Sequence, residues 1–340
     1  RPDAAPENGR TVYVETYGCQ MNVYDTQVIL GRMRQAGYRA IDDALTADVV
    51  LVNTCSVREH AEHRVISRIG ELRRQRELAG RPPAVLGVCG CMAERLRESL
   101  TRQSTPVDLV VGVDHYDALP GLVGDALGSA GVGAVAVGHE ESVHYVAPPE
   151  LYPVNNSHLV TIHKGCDYRC TYCIVPYTRG PQVEKAPDVI MAEIAAIVAA
   201  GGREVTLLGQ NVTAYHWRDE LDFAGLLQRV ATVPGLERIR FLTGHPHDMQ
   251  PRLIEAIGAE PRACPWLHVP AQSGSDRVLR RMKRRYRRAD YLAMVALARE
   301  RIPEVAFSGD FIVGFPGETD ADFEQTLDLL RQVRYDTVFA

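Results

Sequence analysis

The stretch LVTIHKGCDYRCTYC, residues 159–173, joins an apolar strand pattern to three cysteines in the spacing CxxxCxxC. The strand is predicted at 159–163, and the cysteines follow it on one loop. Three thiolates hold three irons of a 4Fe-4S cluster and leave the fourth iron open to an exchangeable ligand. A zinc site or unpaired structural thiols are the alternatives, but zinc sites usually show paired CxxC motifs and four ligands. The spacing therefore favours a 4Fe-4S cluster on Cys166, Cys170 and Cys173.

The same strand begins a series of strand and helix patterns. Helical segments such as 188–200 alternate with the predicted strands, which are 159–163, 204–208, 238–242, 266–269 and 306–313. Five such units in a row are typical of a barrel or part of one. A sixth strand is predicted at 335–340, where the sequence ends in an apolar run. We therefore expect an α/β fold with a partial (β/α)6 barrel that stops within its last strand.

The preceding part of the chain predicts a second α/β domain. Apolar runs at 11–17, 48–52 and 84–88 are each followed by a turn and a helical pattern. This alternation is typical of an open parallel sheet. A Gly/Ala/Val-rich passage at 127–138 and a proline-containing one at 147–153 separate the two stretches. The predicted division is a first domain at 10–126, a linker at 127–153 and a second domain at 154–340.

Composition limits the class of protein. The chain has 340 residues, a net charge of −5, 46% hydrophobic and 24% charged residues, and eight cysteines. These values exclude a disordered chain, collagen and a coiled coil, and they indicate two or more hydrophobic cores. No apolar run approaches the roughly 20 residues that cross a bilayer, so a cytoplasmic protein is expected. The cysteines are too dilute for a small disulfide-rich domain.

Three further cysteines each follow a predicted strand of the first domain. They are Cys19, Cys55 and Cys91. The carboxyl ends of parallel strands form one edge of an open sheet, so these cysteines could converge there. Isolated cysteines are, however, often small buried apolar residues. That interpretation is kept for Cys89 and Cys264.

A basic run, RVLRRMKRRYRR at 277–288, has eight Lys or Arg among twelve residues in a chain of net negative charge. A solvated helix face is the ordinary interpretation. The run follows the fourth strand of the predicted barrel, however, where phosphates of RNA could lie. Tyr286 could stack on a base or pack. The predicted RNA-binding residues are Arg280, Arg281, Lys283, Arg284, Arg285, Arg287 and Arg288. His245 and His247 are expected in a loop after the third strand rather than at a metal.

Several motifs together resemble one family. In order along the chain, the motifs are YGCQMNVYDT, VNTCSVRE, GCMAERL, KGCDYRCTYCIVPYTRG, LLGQNVTAY, LHVPAQSGSDRVL and FIVGFPGET. This series resembles that of the radical methylthiotransferases and spans residues 17–319. Gln20 and Met21 after Cys19, with the segment 177–180, resemble the branch that acts on isopentenylated adenosine. Branches acting on threonylcarbamoyl-adenosine or a ribosomal protein, and a non-catalytic metal-stabilised RNA-binding protein, are the alternatives.

The resemblance implies two 4Fe-4S clusters and S-adenosylmethionine (SAM) as cofactors. An auxiliary cluster that delivers sulfur would be held by Cys19, Cys55 and Cys91. The cysteines of the CxxxCxxC motif would hold the radical-generating cluster. One SAM would donate a methyl group, and a second would give the 5′-deoxyadenosyl radical. The residues implied to bind SAM are Tyr172, Gly209, Gln210, Gln272, Ser273, Gly314 and Glu318. For the turn at 313–317, a simple strand-to-helix connection is the alternative.

The implied reaction is methylthiolation of carbon 2 of the isopentenylated adenosine beside a tRNA anticodon. The implied partners are that tRNA, an electron donor such as a flavodoxin and a source of sulfur or clusters, with no membrane. Members of the family continue into a small RNA-binding β-barrel domain of about seventy residues, which we expect to be absent from this chain. No general acid or base is assigned.

Overall fold

The computed structural model describes residues 8–56, 59–81, 84–102, 106–128, 133–141 and 156–340. The chain forms two compact units. The first comprises Arg1–Pro153 and Ile174–Pro181, and the second comprises Val154–Cys173 and Gln182–Ala340. The predicted boundaries place Ile174–Pro181 in the second domain, at 154–340, whereas in the structure this segment packs with the first unit. The predicted linker at 127–153 lies partly outside the described residues, and its described part contains a strand, so it is not a plain linker.

The first unit is an open sheet with helices. Its strands are β1 (Thr11–Thr16), β2 (Arg39–Ala40), β3 (Val49–Thr54), β4 (Val85–Gly90), β5 (Leu109–Val111) and β6 (Ala134–Ala136). Its helices are α1 (Gln20–Gln35), α2 (Glu59–Leu78), α3 (Cys91–Leu96), α4 (Leu119–Gly128) and α5 (Val175–Thr178). The strand order is β2-β1-β3-β4-β5-β6, and every neighbouring pair is parallel. The predicted open parallel sheet is therefore confirmed, although the short strands β2, β5 and β6 were not predicted.

The core of the first unit lies around its central strands. Every residue of β3 and β4 is buried. Such near-continuous apolar strands are expected where helices cover both faces of a parallel sheet. Val52 and Val88 pack with Leu72 of α2 and Met92 of α3. This packing fixes β3 and β4 side by side, so the residues that follow each of them lie at the same edge of the sheet.

The second unit is built on parallel strands that alternate with helices. Its strands are β7 (Ser157–Thr161), β8 (His163–Lys164), β9 (Val183–Glu184), β10 (Glu204–Leu208), β11 (His216–Trp217), β12 (Leu221–Asp222), β13 (Arg238–Phe241), β14 (Trp266–His268), β15 (Ala306–Asp310) and β16 (Thr337–Phe339). Its helices are α6 (Pro187–Ala199), α7 (Phe223–Ala231), α8 (Pro251–Ala259), α9 (Asp276–Arg281), α10 (Arg288–Arg301) and α11 (Asp320–Val333).

Six of these strands follow one another as a partial barrel. β7, β10 and β13 form one parallel sheet, and β14, β15 and β16 form another. A parallel bridge between Ile239 and Ala263 joins β13 to the segment that leads into β14. The predicted partial (β/α)6 architecture is therefore confirmed. Two short antiparallel pairs, β8 with β9 and β11 with β12, were not predicted. Among the described residues, no helix is long and apolar enough to cross a membrane.

Candidate metal and cofactor sites

The three cysteines of the first unit lie together. Cys19 follows β1 at the start of α1, Cys55 directly follows β3, and Cys91 is the first residue of α3 after β4. The thiols of Cys19 and Cys91 both share hydrogen bonds with the Cys55 thiol. Cys19 is exposed, whereas Cys55 and Cys91 are buried. The three thiols that the sequence predicts to converge therefore lie together in the structure. The group is open to solvent at Cys19.

Two glycines permit this close approach. Gly18 has φ +125° and precedes Cys19, and a Cβ atom there would lie 2.6 Å from the Cβ of Cys55. Gly90 has φ +87° and precedes Cys91, and a Cβ atom there would lie 2.4 Å from Oδ1 of Asn53. Glycine adopts a positive φ without steric cost, and it has no Cβ atom that would clash. The turns that deliver two of the thiols therefore depend on glycine.

Two buried asparagines fix the backbone behind Cys19. Oδ1 of Asn22 accepts a hydrogen bond from the Cys19 backbone N–H at 3.3 Å. Nδ2 of Asn53 donates to the Asn22 carbonyl oxygen at 2.8 Å and to Oγ1 of Thr26 at 3.0 Å. Both asparagines are fully buried. Asn22 and Asn53 lie within the cysteine motifs themselves, but the sequence pattern alone does not indicate their role.

A buried arginine adds positive charge to this group of thiols. Nε of Arg179 donates to Sγ of Cys91 at 3.2 Å, and its Nη2 donates to Oδ2 of Asp25 at 2.5 Å. Hydrogen bonding with Cys55 lowers the pKa of Cys19 and of Cys91, and the charge of Arg179 lowers both further. Thiolates are the forms that bind metals. Burial instead raises the pKa of Cys89 to about 12, which keeps that thiol protonated.

The CxxxCxxC cysteines lie on the loop that follows β8 in the second unit. Cys166 is buried, and burial raises its pKa to about 11, while Cys170 and Cys173 are half-buried. The Cys173 backbone N–H donates to the Cys170 carbonyl oxygen at 3.0 Å, which closes a turn. Arg284 lies against this loop, with its Nη1 3.6 Å from Sγ of Cys170 and its Nη2 donating to the Pro270 carbonyl oxygen at 3.0 Å.

Both cysteine groups supply the donors that a 4Fe-4S cluster needs. Within the described ranges, no three His, Cys, Asp or Glu side chains are arranged around the position of a single ion. A 4Fe-4S cluster distributes its thiolate ligands over separate irons rather than one ion. Three thiols in each group, with an arginine donating toward one sulfur, fit such a cluster in number and chemistry.

Gly209 and Gln210 follow β10, as the sequence places them. A Cβ atom on Gly209 would lie 2.0 Å from Nε2 of His163, so glycine allows the imidazole to pack against this turn. Oε1 of Gln210 is buried and accepts a hydrogen bond from no residue that the structure describes. A buried acceptor without a donor is costly. Gln210 therefore presents an oxygen that fits a ligand donor such as the SAM amine.

The turn that contains Gly314 and Glu318 has structural hydrogen bonds of its own. Oε2 of Glu318 accepts from the Gly314 N–H at 2.6 Å and from the Phe315 N–H at 3.2 Å. Gly314 has φ +76°. These contacts favour the alternative of a strand-to-helix connection, while Oε1 of Glu318 is buried without a hydrogen-bond partner among the described residues.

The remaining residues implied to bind SAM have different surroundings. The Ser273 hydroxyl is buried, accepts from the Ser275 N–H at 3.2 Å and lies 3.4 Å from Oγ1 of Thr326. The hydroxyl thus takes part in packing against α11, and its role in binding SAM stays a prediction. Gln272 has φ +67°, and its N–H donates to the Asp310 carbonyl oxygen at 2.8 Å. Tyr172 is 36% exposed and is the only one of these three with an exposed side chain.

The basic run does not form one helix face. α9 ends at Arg281 and α10 begins at Arg288, with an irregular segment between them. The residues of the run with exposed side chains are Arg277, Arg280, Arg281, Lys283, Arg285 and Arg287. Arg284 and Arg288 are half-buried. Arg284 was predicted to bind RNA, but its guanidinium faces the Cys170 loop, so we leave it out of the exposed basic surface.

Two other side chains of this region pack internally. Tyr286 is buried and its hydroxyl donates to the Ala271 carbonyl oxygen, so it packs rather than offering a ring to a base. Arg288 donates to Asp328 of α11. The exposed positive charge of the run is therefore smaller than the sequence indicates.

A cluster of aromatic side chains and a carboxylate lies against the cysteine loop, and Tyr168 and His245 are its buried members. The Tyr168 ring stacks on His245 with centroids 4.3 Å apart, and its hydroxyl donates to Oδ1 of Asp248 at 2.7 Å. Burial lowers the pKa of His245 to about 2, which keeps the imidazole neutral. Its Nδ1 accepts from the His247 N–H at 3.2 Å. The two histidines thus lie in the segment after β13, as predicted from the sequence.

Comparison with known proteins identifies both units. A family model described as "Uncharacterized protein family UPF0004" matches residues 11–112, and the model of the Radical SAM superfamily matches residues 160–330. Two solved structures share the fold at low identity. A radical SAM methyltransferase, TsrM, from Kitasatospora setae has a TM-score of 0.66 at 16% identity, covering 97% of this chain and 72% of its own. The cobalamin-dependent SAM radical enzyme OxsB has a TM-score of 0.67 at 12% identity, covering 94% and 52%.

Relatives with much higher sequence identity share one name, tRNA-2-methylthio-N(6)-dimethylallyladenosine synthase. The protein of Geobacter metallireducens is 44% identical, with 97% of this chain and 75% of the relative covered. That of Rhodopirellula baltica is 41% identical, with 97% and 72% covered. That of Jannaschia sp. is 40% identical, with 100% and 73% covered. The chain belongs to the family of tRNA-2-methylthio-N(6)-dimethylallyladenosine synthases, within the radical SAM superfamily.

Proposed function

We propose that this chain is an enzyme that methylthiolates carbon 2 of N6-dimethylallyladenosine beside a tRNA anticodon. The observation that carries the proposal is the grouping of Cys19, Cys55 and Cys91 in a unit separate from the CxxxCxxC loop. Two groups of three thiols in one chain suit two clusters with different tasks. The names of relatives at 40–44% identity support this substrate.

The cofactors supply the chemistry that side chains lack. When bound, two 4Fe-4S clusters and SAM provide the radical, the sulfur and the methyl group. The hydrogen on carbon 2 of adenine is unactivated, and no polar side chain removes it at neutral pH. The protein's part is to bind, orient and shield these groups.

We assign the binding tasks as follows. Cys19, Cys55 and Cys91 hold the auxiliary cluster, and the CxxxCxxC loop holds the radical-generating one. Gln210 accepts a hydrogen bond from the amine of SAM through its buried Oε1. Arg284 holds the CxxxCxxC loop through its contacts with Cys170 and Pro270.

The partners include more than the tRNA. The reaction consumes an electron and a sulfur atom, so an electron donor such as a flavodoxin and a source of sulfur or clusters belong to the proposal. Exposed Arg and Lys residues between 280 and 287 are the proposed contacts to tRNA phosphates. The cytoplasmic location stays a prediction.

Iron analysis tests the two clusters. After anaerobic reconstitution we expect about eight irons per chain, since each cluster holds four. Joint replacement of Cys19, Cys55 and Cys91 by Ala should leave about four. Replacement of Cys89 and Cys264 by Ala is the matched control and should leave the iron content at about eight. An iron content near four that the first replacement does not change would contradict the auxiliary cluster.

Product analysis tests the substrate. Reconstituted protein, SAM, a reductant and tRNA carrying the isopentenylated adenosine should yield the methylthio nucleoside, detected by mass spectrometry of digested tRNA. The same tRNA without the isopentenyl group is the control. Undiminished turnover on that control would contradict the proposed substrate.

A further inference from the structure

Arg179 and Asp25 form a buried ion pair in the first unit. Their side chains are 3% and 0% exposed, and Nη2 of Arg179 lies 2.5 Å from Oδ2 of Asp25. Asp25 is on α1, the helix that begins after Cys19, and Arg179 is on the segment Ile174–Pro181. Two elements far apart in sequence thus meet at this pair.

Stability alone is a poor explanation for such a pair. Removing two charges from water is costly, and apolar residues of similar volume are often as stabilising or more so. The pair lies against Cys91 rather than in an ordinary part of the core, because Nε of Arg179 donates to Sγ of Cys91 at 3.2 Å. A functional contact with the thiol group is a better explanation.

The shape of the guanidinium explains how one residue serves both partners. Arginine presents its N–H groups in a rigid planar fork, whereas the lysine ammonium is a single flexible point charge. In Arg179, Nη2 is occupied by Asp25 while Nε is directed at Cys91. Asp25 therefore fixes the orientation of the guanidinium. In that orientation Nε points at Cys91 and donates a charge-assisted hydrogen bond to its sulfur.

We propose that Arg179, oriented by Asp25, is a positioning residue that hydrogen-bonds the cluster ligand Cys91 and raises the reduction potential of the auxiliary 4Fe-4S cluster. This inference rests on the proposed function, because it needs a cluster on Cys19, Cys55 and Cys91. Net charge and hydrogen bonds to the sulfurs are among the main factors that set cluster potentials. A positive charge and a donor at a ligand sulfur both stabilise the reduced cluster, which carries one more electron.

The two members of the pair have opposite charges, so their replacement should act in opposite directions. Arg179→Gln removes a positive charge and the donor to Cys91, which lowers the potential. Asp25→Asn removes a negative charge and keeps an oxygen that accepts from Arg179, which raises the potential. A merely structural disturbance would shift both variants in the same direction.

The experiment measures the potential of the auxiliary cluster alone. The background is the full chain with Cys166, Cys170 and Cys173 replaced by Ala, so that only the auxiliary cluster remains. Potentiometric titration followed by electron paramagnetic resonance gives the midpoint. For Arg179→Gln we expect a change of about tenfold in the reduction equilibrium, which is about 59 mV for one electron, toward lower potential.

Two further variants keep the test decisive. Arg179→Lys keeps the positive charge but loses the planar guanidinium, so it should lower the potential by less than Arg179→Gln does. If Arg179→Gln does not retain about four irons, the potential of Arg179→Lys is the measurement that decides. Arg32→Gln, which removes an arginine of α1 that pairs with exposed Asp117, is the control and should leave the potential unchanged.

The outcomes separate this inference from the proposed function. A background chain that binds no iron contradicts the auxiliary cluster and hence the proposed function. A background chain that binds about four irons, with a potential that neither Arg179 variant changes, contradicts the role of Arg179 alone. Equal shifts in one direction for Arg179→Gln and Asp25→Asn also contradict it.

Discussion

A Cβ atom on Gly18 would lie 2.6 Å from the Cβ of Cys55, so the turn before the first cysteine directly touches the second. The φ angle of Gly18 is +125°, which residues with a side chain rarely adopt. The same hypothetical Cβ would also lie 2.6 Å from Oδ1 of Asn22. Steric and torsional causes thus both require glycine where two strands deliver their thiols.

The first prediction follows from this contact. Gly18→Ala should push Cys19 away from Cys55 and reduce the iron of the reconstituted chain from about eight to about four. Gly121→Ala is the matched control, since a Cβ there meets nothing within 4 Å and the iron content should not change. Colorimetric iron and sulfide analysis measures both variants. A Gly18→Ala chain that keeps about eight irons would show that the turn tolerates a side chain.

A second prediction concerns the asparagine behind Cys19. Asn53→Ala removes the donor to the Asn22 carbonyl oxygen and to Thr26, and it also removes Oδ1, the acceptor for the buried Asn22 amide. The expected loss in the free energy of unfolding is about 1–3 kcal/mol, measured by urea unfolding followed by circular dichroism. Asn8→Ala, at an exposed position, should change the free energy by less than about 0.5 kcal/mol. Equal losses for the two variants would contradict a special role for Asn53.

The sequence predicts the long elements and the thiol grouping for one physical reason. Each of Cys19, Cys55 and Cys91 follows a strand, and adjacent parallel strands end at one edge of the sheet. Predicted strands of five or more residues, rich in Val and Leu or alternating with polar residues, mark β1, β3 and β4 clearly. Strands of two or three residues, such as β2 and β6, carry too little periodicity to be recognised.

Long-range polar contacts are the part that sequence patterns do not show. Arg179 and Asp25 are 154 residues apart, and no periodicity links them. Arg284 lies in a run of charges that is typical of a surface, yet Lys283 has φ +57° and the backbone turns there. That turn directs the next side chain toward Cys170. Only the tertiary fold determines such pairings.

A third prediction concerns Gln210. Gln210→Ala removes the buried Oε1 that we assign to the amine of SAM, and the affinity for SAM should fall about three- to tenfold. Equilibrium dialysis of the reconstituted chain measures it. Gln210→Glu keeps an acceptor oxygen and should retain more affinity than the alanine variant. Gln332→Ala, whose side chain is exposed and donates to Asp328, should bind SAM normally. Unchanged binding by Gln210→Ala would contradict the assignment.

A fourth prediction is a pH dependence of stability. Burial lowers the pKa of His245 to about 2, below the value of about 6.5 for an unfolded histidine. The unfolded chain therefore binds more protons below pH 6.5, so stability is complete above this pH and decreases as the pH falls. Burial also lowers the pKa of His163, to about 4, which acts in the same direction.

His245→Phe separates the two contributions. Phenylalanine keeps a ring against Tyr168 but does not titrate, so the slope of unfolding free energy against pH should decrease by up to about 1.4 kcal/mol per pH unit between pH 6.5 and 5. The slope due to His163 remains. Urea unfolding at several pH values measures it, with exposed His216→Phe as the control. An unchanged slope in His245→Phe would mean that His245 is protonated in the folded chain.

The last prediction is that the exposed residues of the basic run contact tRNA, whereas the half-buried Arg284 does not. Joint replacement of Arg280, Lys283 and Arg287 by Gln should weaken tRNA binding and reduce the slope of log affinity against log salt. The expected reduction is about 0.9 for each duplex phosphate that is no longer neutralised and about 0.7 for each phosphate of a single strand. Arg284→Gln should leave this slope unchanged, because its guanidinium faces Cys170 and Pro270.

Replacement of Arg203, Arg238 and Arg301 by Gln removes the same charge elsewhere and is the matched control for the basic run. Filter binding across a salt series measures all three chains. If the control lowers the slope as much as the first variant, net charge rather than this segment governs binding. If only replacement of Arg280, Lys283 and Arg287 lowers the slope, the RNA phosphates lie beside the loop between α9 and α10. The reason is that a charge contributes to the slope only where it neutralises a phosphate directly.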